Sequence, residues 1–301
     1  VEELTAIQGN GATQVSAYIS NRGLTELADV DVILYTKTGD EKKVIGSYTI
    51  PALAVAMGVP VTFDAALEIE NIIDDIRHYF ATNGNKDTKA VIGISGGKDS
   101  TIAATLLCRA LGKDRVFGVL MPDGEQKDIE HARKVCEYLQ IDNITINIKF
   151  TTASFIEDIE RNSNLIPNAQ VYTNMPARVR MTTLYNVAAM VGGRVINTGN
   201  KSEAFVGYTT KYGDLAGDYA VLRDYYVTEI YRIGDALKLP TYLVHKEPAD
   251  GMSGKTDADN MGFSYETLDN YLLNGIVPSA DVLKNILDRH ARNRHKEVIR
   301  L

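Results

Sequence analysis

Residues 90–110 limit what this chain can fold into more than any other stretch. Ala90 to Ile94 is a short apolar run rich in β-branched residues, the composition of a strand buried on both faces. Ser95-Gly96-Gly97 then turns the chain, and from Lys98 onward apolar residues at Ile102, Ala103, Leu106 and Leu107 keep helical spacing. A strand, a glycine turn and a helix start aim backbone N–H groups and the positive helix end at one spot, which suits a phosphate or pyrophosphate. Gly96 and Gly97 let the backbone approach an anion closely. Ser95 and Ser100 supply hydroxyl donors and Lys98 a mobile positive charge. Asp99 would repel a phosphate unless a cation lay between them, so it reads as a magnesium ligand.

The string Ser95-Gly96-Gly97-Lys98-Asp99-Ser100 behind a buried strand resembles the pyrophosphate loop of the ATP pyrophosphatases, which split ATP into AMP and pyrophosphate. It lacks the four-residue spacing between glycines and the Gly-Lys-Ser/Thr end of a kinase-type P-loop. A bare glycine pair would read only as a strand-to-helix turn.

The 301 residues suffice for one large domain or two of ordinary size, and 45% apolar content supplies a full core. No apolar run reaches membrane-spanning length, and the start Val-Glu-Glu-Leu-Thr lacks the features of a signal peptide. Cys108 and Cys136 both fall in expected amphipathic helices and read as buried free thiols, which fits a reducing cytoplasm. A net charge of −7 gives no general field for nucleic acid.

Residues 1–61 differ from the rest. Thr13 to Ile19, Val30 to Tyr35, Lys43 to Ile50 (ended by Pro51) and Gly58 to Phe63 read as strands separated by glycine turns, an antiparallel β segment. The stretch Asn21-Arg22-Gly23 … Val30–Tyr35 … Ile50-Pro51-Ala52-Leu53 resembles part of an immunoglobulin-like sandwich of the bacterial cell-adhesion-related type, with fewer strands than a complete one. No chemistry is legible in it.

From Asp64 the pattern alternates. Ala65 to Phe80 has helical periodicity, then come the strand at 90–94 and its helix, a strand at Val116 to Met121, a helix at Lys127 to Leu139 and a strand at Ile144 to Ile148. Residues 151–175 are less regular. Met175 to Val191 reads as one long helix, and Arg194 to Thr198 as a fourth strand. The alternation argues an α/β fold, a doubly wound parallel sheet with its site at the C-terminal ends of the strands.

Further motifs narrow the resemblance. Ala177-Arg178-Val179-Arg180-Met181, Asn197-Thr198-Gly199-Asn200-Lys201-Ser202-Glu203, Gly207 to Asp218 with its Lys211-Tyr212-Gly213-Asp214 core, Gly262-Phe263-Ser264-Tyr265 and His295-Lys296 follow one another in the order of ammonia-dependent NAD synthetase. Residues 62–301 are identified as resembling that family. The resemblance implies a sheet of the adenine nucleotide α-hydrolase type, cytoplasmic location and a homodimer, for which the apolar helix 184–191 is a candidate contact. It also implies a reaction in which the nicotinate carboxylate of deamido-NAD attacks the α-phosphate of ATP, and ammonia then displaces AMP.

By the same carry-over, Gly93, Ile94, Ser95, Gly96, Gly97, Lys98, Asp99, Ser100 and Thr198 meet ATP. Asp99 and Glu203 hold magnesium, and Arg178, Lys211, Asp218, His295 and Lys296 meet deamido-NAD. Asp99, Lys98 and Lys211 are the residues expected to carry the chemistry. Taken alone, Glu203 and Asp218 would be ordinary surface carboxylates, Arg178 and Arg180 a charged helix face, and His295-Lys296 a solvated helix end. His78, His131, His245 and His290 have no partners at metal-ligand spacing and read as structural. Three positions depart from the family pattern: many members have lysine at Val227, Ser or Thr at Ala249, and Glu at Ala258. Lys98 is placed to replace the missing lysine charge. The extra 61 residues hold no cysteine and are too short for the amidase domain of glutamine-using relatives, so free ammonia is the expected nitrogen donor. The rival readings are another amidating or thiolating ATP pyrophosphatase, or a binding protein on the same scaffold.

Overall fold

The structure is a computed structural model that describes residues 63–126, 129–245 and 256–296 in full and, before them, the backbone of four strands. The chain divides into two compact units, with Val1–Val61 in the smaller. There β1 (Glu3–Gly9) pairs antiparallel with β2 (Ala12–Tyr18), and β3 (Leu27–Thr38) with β4 (Glu41–Leu53). Pro51 does not end the last strand as expected. The ladder runs through it, with Ile50 opposite Val30 and Ala52 opposite Ala28, a place where an edge strand tolerates a missing N–H donor. The immunoglobulin-like resemblance, which turns on side chains and connections in this stretch, lies outside the described residues, as does the strand expected from Gly58.

The larger unit opens with α1 (Ala65–Thr82), started by Asp64, whose carboxylate accepts from the N–H groups of Ala66 and Leu67. It continues through β5 (Lys89–Gly93), α2 (Lys98–Leu111), β6 (Val116–Leu120), α3 (Ile129–Leu139), β7 (Asp142–Thr145), α4 (Lys149–Asn162), α5 (Ala169–Val191) and β8 (Gly193–Asn197). After α6 (Lys201–Val206) and the two-residue β9 (Tyr219–Ala220) come, among the described residues, five α-helices. They are α7 (Val227–Ala236), α8 (Thr241–Val244), α9 (Asp257–Met261), α10 (Tyr265–Asn274) and α11 (Ala280–Asn293). The five strands pair in parallel in the order β7-β6-β5-β8-β9.

The strands alternate faces with period two. Ala90, Ile92, Val116, Leu120 and Ile196 pack toward α1, α2, α3 and α7, whereas Val91, Val119 and Val195 pack against α5 through Val179, Leu184 and Val187. Both faces are therefore dry, which is why these strands read as continuous apolar runs. From β5 the chain winds outward one way through β6 and β7, then returns to lay β8 on the other side of β5. The order reverses between β5 and β8, and a crevice opens beyond the carboxyl ends of two strands whose following loops diverge. Those loops are Ile94–Gly97 and Thr198–Asn200.

Three expectations shift. The third strand lies at Asp142–Thr145 rather than at 144–148, all four of its residues being exposed at the sheet edge. The irregular 151–175 stretch holds α4 and the start of α5. Apolar residues of α4 such as Phe155 and Ile159 face outward, which hid the helical period, and Pro176 lies inside α5 rather than at its start. Cys136 is buried and Cys108 partly so; burial pushes their thiols up to about 11 and about 12, which leaves both protonated and inert.

Candidate active site

The crevice is a cleft of about 650 Å³ lined by Gly93, Ile94, Ser95, Gly97, Lys98, Asp99, Ser100, Thr198, Glu203 and Lys296 among others. The glycine turn and the β8 loop thus meet in one place: eight of the nine residues expected at ATP face it, all but Gly96, together with Glu203 and Lys296.

Gly97 is the N-cap of α2 and has no side chain to offer the helix start. The loop is braced instead by hydroxyls: Ser100 and Thr101 donate to the Gly97 carbonyl at 3.1 and 2.8 Å, and the Gly97 N–H donates to Ser95 Oγ at 3.2 Å. Gly96 sits at φ +79°, and an added Cβ there would lie 2.7 Å from the Ala132 nitrogen of α3. This glycine is required by the backbone and by the close approach of α3.

Opposite, α6 starts with a capping box in which Asn200 Oδ1 accepts from the Glu203 N–H and the Glu203 carboxylate accepts from the Asn200 N–H. The Asn200 side-chain amide also donates to Asp99 Oδ1 at 3.3 Å. One asparagine therefore ties together the two carboxylates expected to hold a cation. Among the described residues no three His, Cys, Asp or Glu side chains form an all-protein metal cage. Two carboxylates beside a phosphate-shaped loop is the donor set that suits magnesium, which keeps waters and takes phosphate oxygens for the rest of its shell.

Lys98 is 4% exposed and its ammonium lies 2.8 Å from Asp99 Oδ2. Burial works against its charge, yet Asp99 and Glu203 outweigh that and hold it above an ordinary lysine value. Glu203 also shifts upward, which for a carboxyl favours the neutral form. Burial pushes its carboxyl up to about 8, Asp99 adds to the rise, and Lys98 and the Asn200 N–H oppose it. Because that value exceeds the unfolded one, the proton favours the folded chain, and stability falls as pH rises from the ordinary glutamate range toward about 8. Glu203→Gln is expected to flatten that slope and to make the metal-free protein ~1–3 kcal/mol more stable near the top of the window. Denaturant melts at about pH 5 and pH 8 check it, and equal stability of parent and variant at the higher pH would refute the assignment.

The remaining expected residues split. Arg178 Nε donates to the Lys211 carbonyl at 3.2 Å, Lys211 Nζ to the His295 carbonyl at 2.8 Å, and Lys296 Nζ to the carbonyls of Gly207 and Thr209 at 2.7 Å each. These four therefore form one connected group at the rim, where Lys296 lines the cleft and His295 offers its carbonyl rather than its ring. Asp218 lies elsewhere. It accepts from the Val195 N–H at 2.8 Å and lines a separate open depression with Tyr79 and Arg194. Arg180, two residues from Arg178 and so on another helix face, lines the cleft and donates to the Met121 carbonyl at 3.0 Å.

The sequence reading gave no role to Arg180, Asn200 or Asn197, whose amide donates to the carbonyls of Asp214 and Ala216 at 2.7 Å each. All three stand within the family-like motifs; for Asn197 and Asn200 the signal was a polar residue at or just past the carboxyl end of β8, and Arg180 inside α5 had none. Val227 is buried at the first position of α7 and does not line the cleft. Ala258 lies in α9 next to the cleft-lining Asp257, and Ala249 falls outside the described residues.

A family model described as NAD synthase matches residues 68–299. The chain belongs to the NAD synthase family. It is 41% identical over 207 residues to an NH(3)-dependent NAD(+) synthetase of Pyrococcus horikoshii, covering 68% of this chain and 78% of that one. Among solved structures, an NMN synthetase from Francisella tularensis superposes with a TM-score of 0.73 at 29% identity, covering 79% of this chain and 98% of the other. An NH3-dependent NAD synthetase from Campylobacter jejuni does so with a TM-score of 0.63 at 30% identity, again covering 79% and 98%. The parallel sheet and the family membership agree with the α/β fold and the motif order read from the sequence.

Proposed function

We propose that this chain is an ammonia-dependent NAD synthetase, a ligase that forms a carbon–nitrogen bond at the expense of ATP. The observation that carries the reading is the meeting of the Ser95–Ser100 loop with Asp99 and Glu203, joined through Asn200, at the point where the strand order reverses. The loop N–H groups, Ser95 and Ser100 hold the phosphates of ATP, with Thr198 at the nucleotide. Asp99 and Glu203 hold magnesium, which when bound neutralises charge on the phosphates. Arg178, Lys211, His295 and Lys296 take deamido-NAD at the rim, and Asp218 with Tyr79 and Arg194 takes its far end.

In the first step a nicotinate carboxylate oxygen bonds to the α-phosphorus as the bond to the bridging oxygen breaks and pyrophosphate leaves. In the second, ammonia bonds to the acyl carbon, loses a proton, and AMP departs with the acyl C–O electrons. Little covalent work falls to the protein; the residues position the two anions and offset their charge. Lys98 in the cleft and Lys211 at its rim are the cations proposed for this task. For a homodimer contact, helix 184–191 keeps exposed Tyr185 and Met190 on its outer side, and outward-facing Phe155, Ile159, Leu165 and Ile166 on and after α4 offer a second apolar face. Among the described residues no helix is long and apolar enough to cross a membrane.

A second reading, amidation of the mononucleotide, is favoured by the superposition on the Francisella NMN synthetase. One assay separates them: ATP, magnesium and ammonium or glutamine, with deamido-NAD or nicotinate mononucleotide as acceptor, following amide, AMP and pyrophosphate. NAD with ammonium alone is expected. Preference for the mononucleotide would install the second reading, and ATP cleavage with neither would remove both.

A further inference from the structure

We infer that Lys98 is a built-in counter-ion for Asp99 that makes uptake of the divalent cation conditional on the nucleotide; this rests on the reading of Asp99 and Glu203 as the cation's ligands. The ammonium lies 2.8 Å from Asp99 Oδ2, with the lysine side chain 4% and the aspartate 19% exposed. It is also set over two rings, 5.6 Å from the centre of Tyr231 on α7 and 5.7 Å from that of Tyr265 on α10. A cation gripped by a carboxylate and two aromatic faces has a defined place. A divalent ion arriving alone must compete for the same carboxylate and meets a positive charge a few ångströms away.

Lys98 is also the first residue of α2, inside the loop that faces phosphate. Phosphates seated on that loop give the ammonium a second anionic partner and draw it off Asp99. The carboxylate is then free for the metal at the moment the nucleotide arrives. Metal and nucleotide therefore strengthen each other's binding, and by linkage the factor is the same in both directions. A lysine acting only as a phosphate anchor would instead set nucleotide affinity and leave the affinity for metal alone unchanged.

Manganese is the probe, used on the full chain with bound ion measured by equilibrium dialysis, with and without α,β-methylene ATP. Lys98→Met is expected to bind manganese about tenfold more tightly without nucleotide, the scale of one charge-assisted hydrogen bond, and to lose about the same factor from the nucleotide's enhancement. Lys98→Arg keeps the cation and should behave as the parent, and Lys98→Gln serves if the methionine variant melts early. Unchanged manganese affinity in Lys98→Met and Lys98→Gln overturns the inference if Asp99→Asn, measured with the analogue, loses its protein-bound manganese. If Asp99→Asn keeps it, the cation-site reading itself falls and the inference with it.

Discussion

Asp99→Ala is expected to lower the rate of NAD formation by about three orders of magnitude while leaving the protein folded. The carboxylate stands where three influences meet: the Lys98 ammonium on one oxygen, the Asn200 amide on the other, and Glu203 across the cleft. Removing it leaves Lys98 without its close anion and leaves Glu203 as the sole carboxylate of the pair. Asp99 is the second residue of α2, and a negative charge there also favours the helix start, a contribution of roughly 0.3–1 kcal/mol that the variant forfeits. The loss of rate should thus far exceed the loss of stability. Single-turnover release of pyrophosphate tests this directly, because it reports adenylation without waiting for ammonia. Near-parental pyrophosphate release by a folded Asp99→Ala protein would remove Asp99 from the chemistry.

Gly96→Ala is expected to be the most disruptive methyl group that can be added to the loop. The backbone is at φ +79°, and the new Cβ would lie 2.7 Å from the Ala132 nitrogen and 2.8 Å from His131 Cβ, so α3 has to shift. Left-handed strain together with that displacement should destabilise the protein by ~2–4 kcal/mol and weaken ATP binding through the distorted turn. Gly97→Ala supplies the contrast. Its backbone is at φ −84°, and the nearest atom to an added Cβ is Ser95 Oγ at 3.4 Å, so the expected cost is below ~1 kcal/mol. Denaturant unfolding of both proteins decides the matter, and equal costs would mean that the loop is held by its ligand rather than by α3.

How much of this was legible in the sequence depended on how each residue spends its surface. The runs at 90–94 and 116–121 were plain because both faces of those strands are covered, so every position is apolar. Helix α4 was hidden by Phe155 and Ile159, which face outward and blur the helical stripe, and β9 is too short to leave a pattern. The loop itself was readable as a phosphate cradle because glycine and hydroxyl positions are local properties. Pairings between distant loops were not. Nothing in the spacing says that Asn200 reaches Asp99 across 101 positions, or that Lys98 turns back onto its own neighbour. The two arginines of α5 show the same limit: two residues apart, they face different neighbours, and only the fold says which is which.

The rim cations carry a consequence for association. Arg178, Lys211 and Lys296 donate to carbonyl oxygens, which accept hydrogen bonds without cancelling charge. On a protein of net charge −7, these three cations gather positive charge at the rim, offset in part at Lys296 by Asp214. On the proposed reading, a dinucleotide anion is drawn toward these cations against a net-negative background, which favours encounters that are already oriented. Such capture is felt over roughly 10 Å at moderate ionic strength and fades as salt is added, so the Michaelis constant for the dinucleotide should climb with ionic strength more steeply than the turnover number falls.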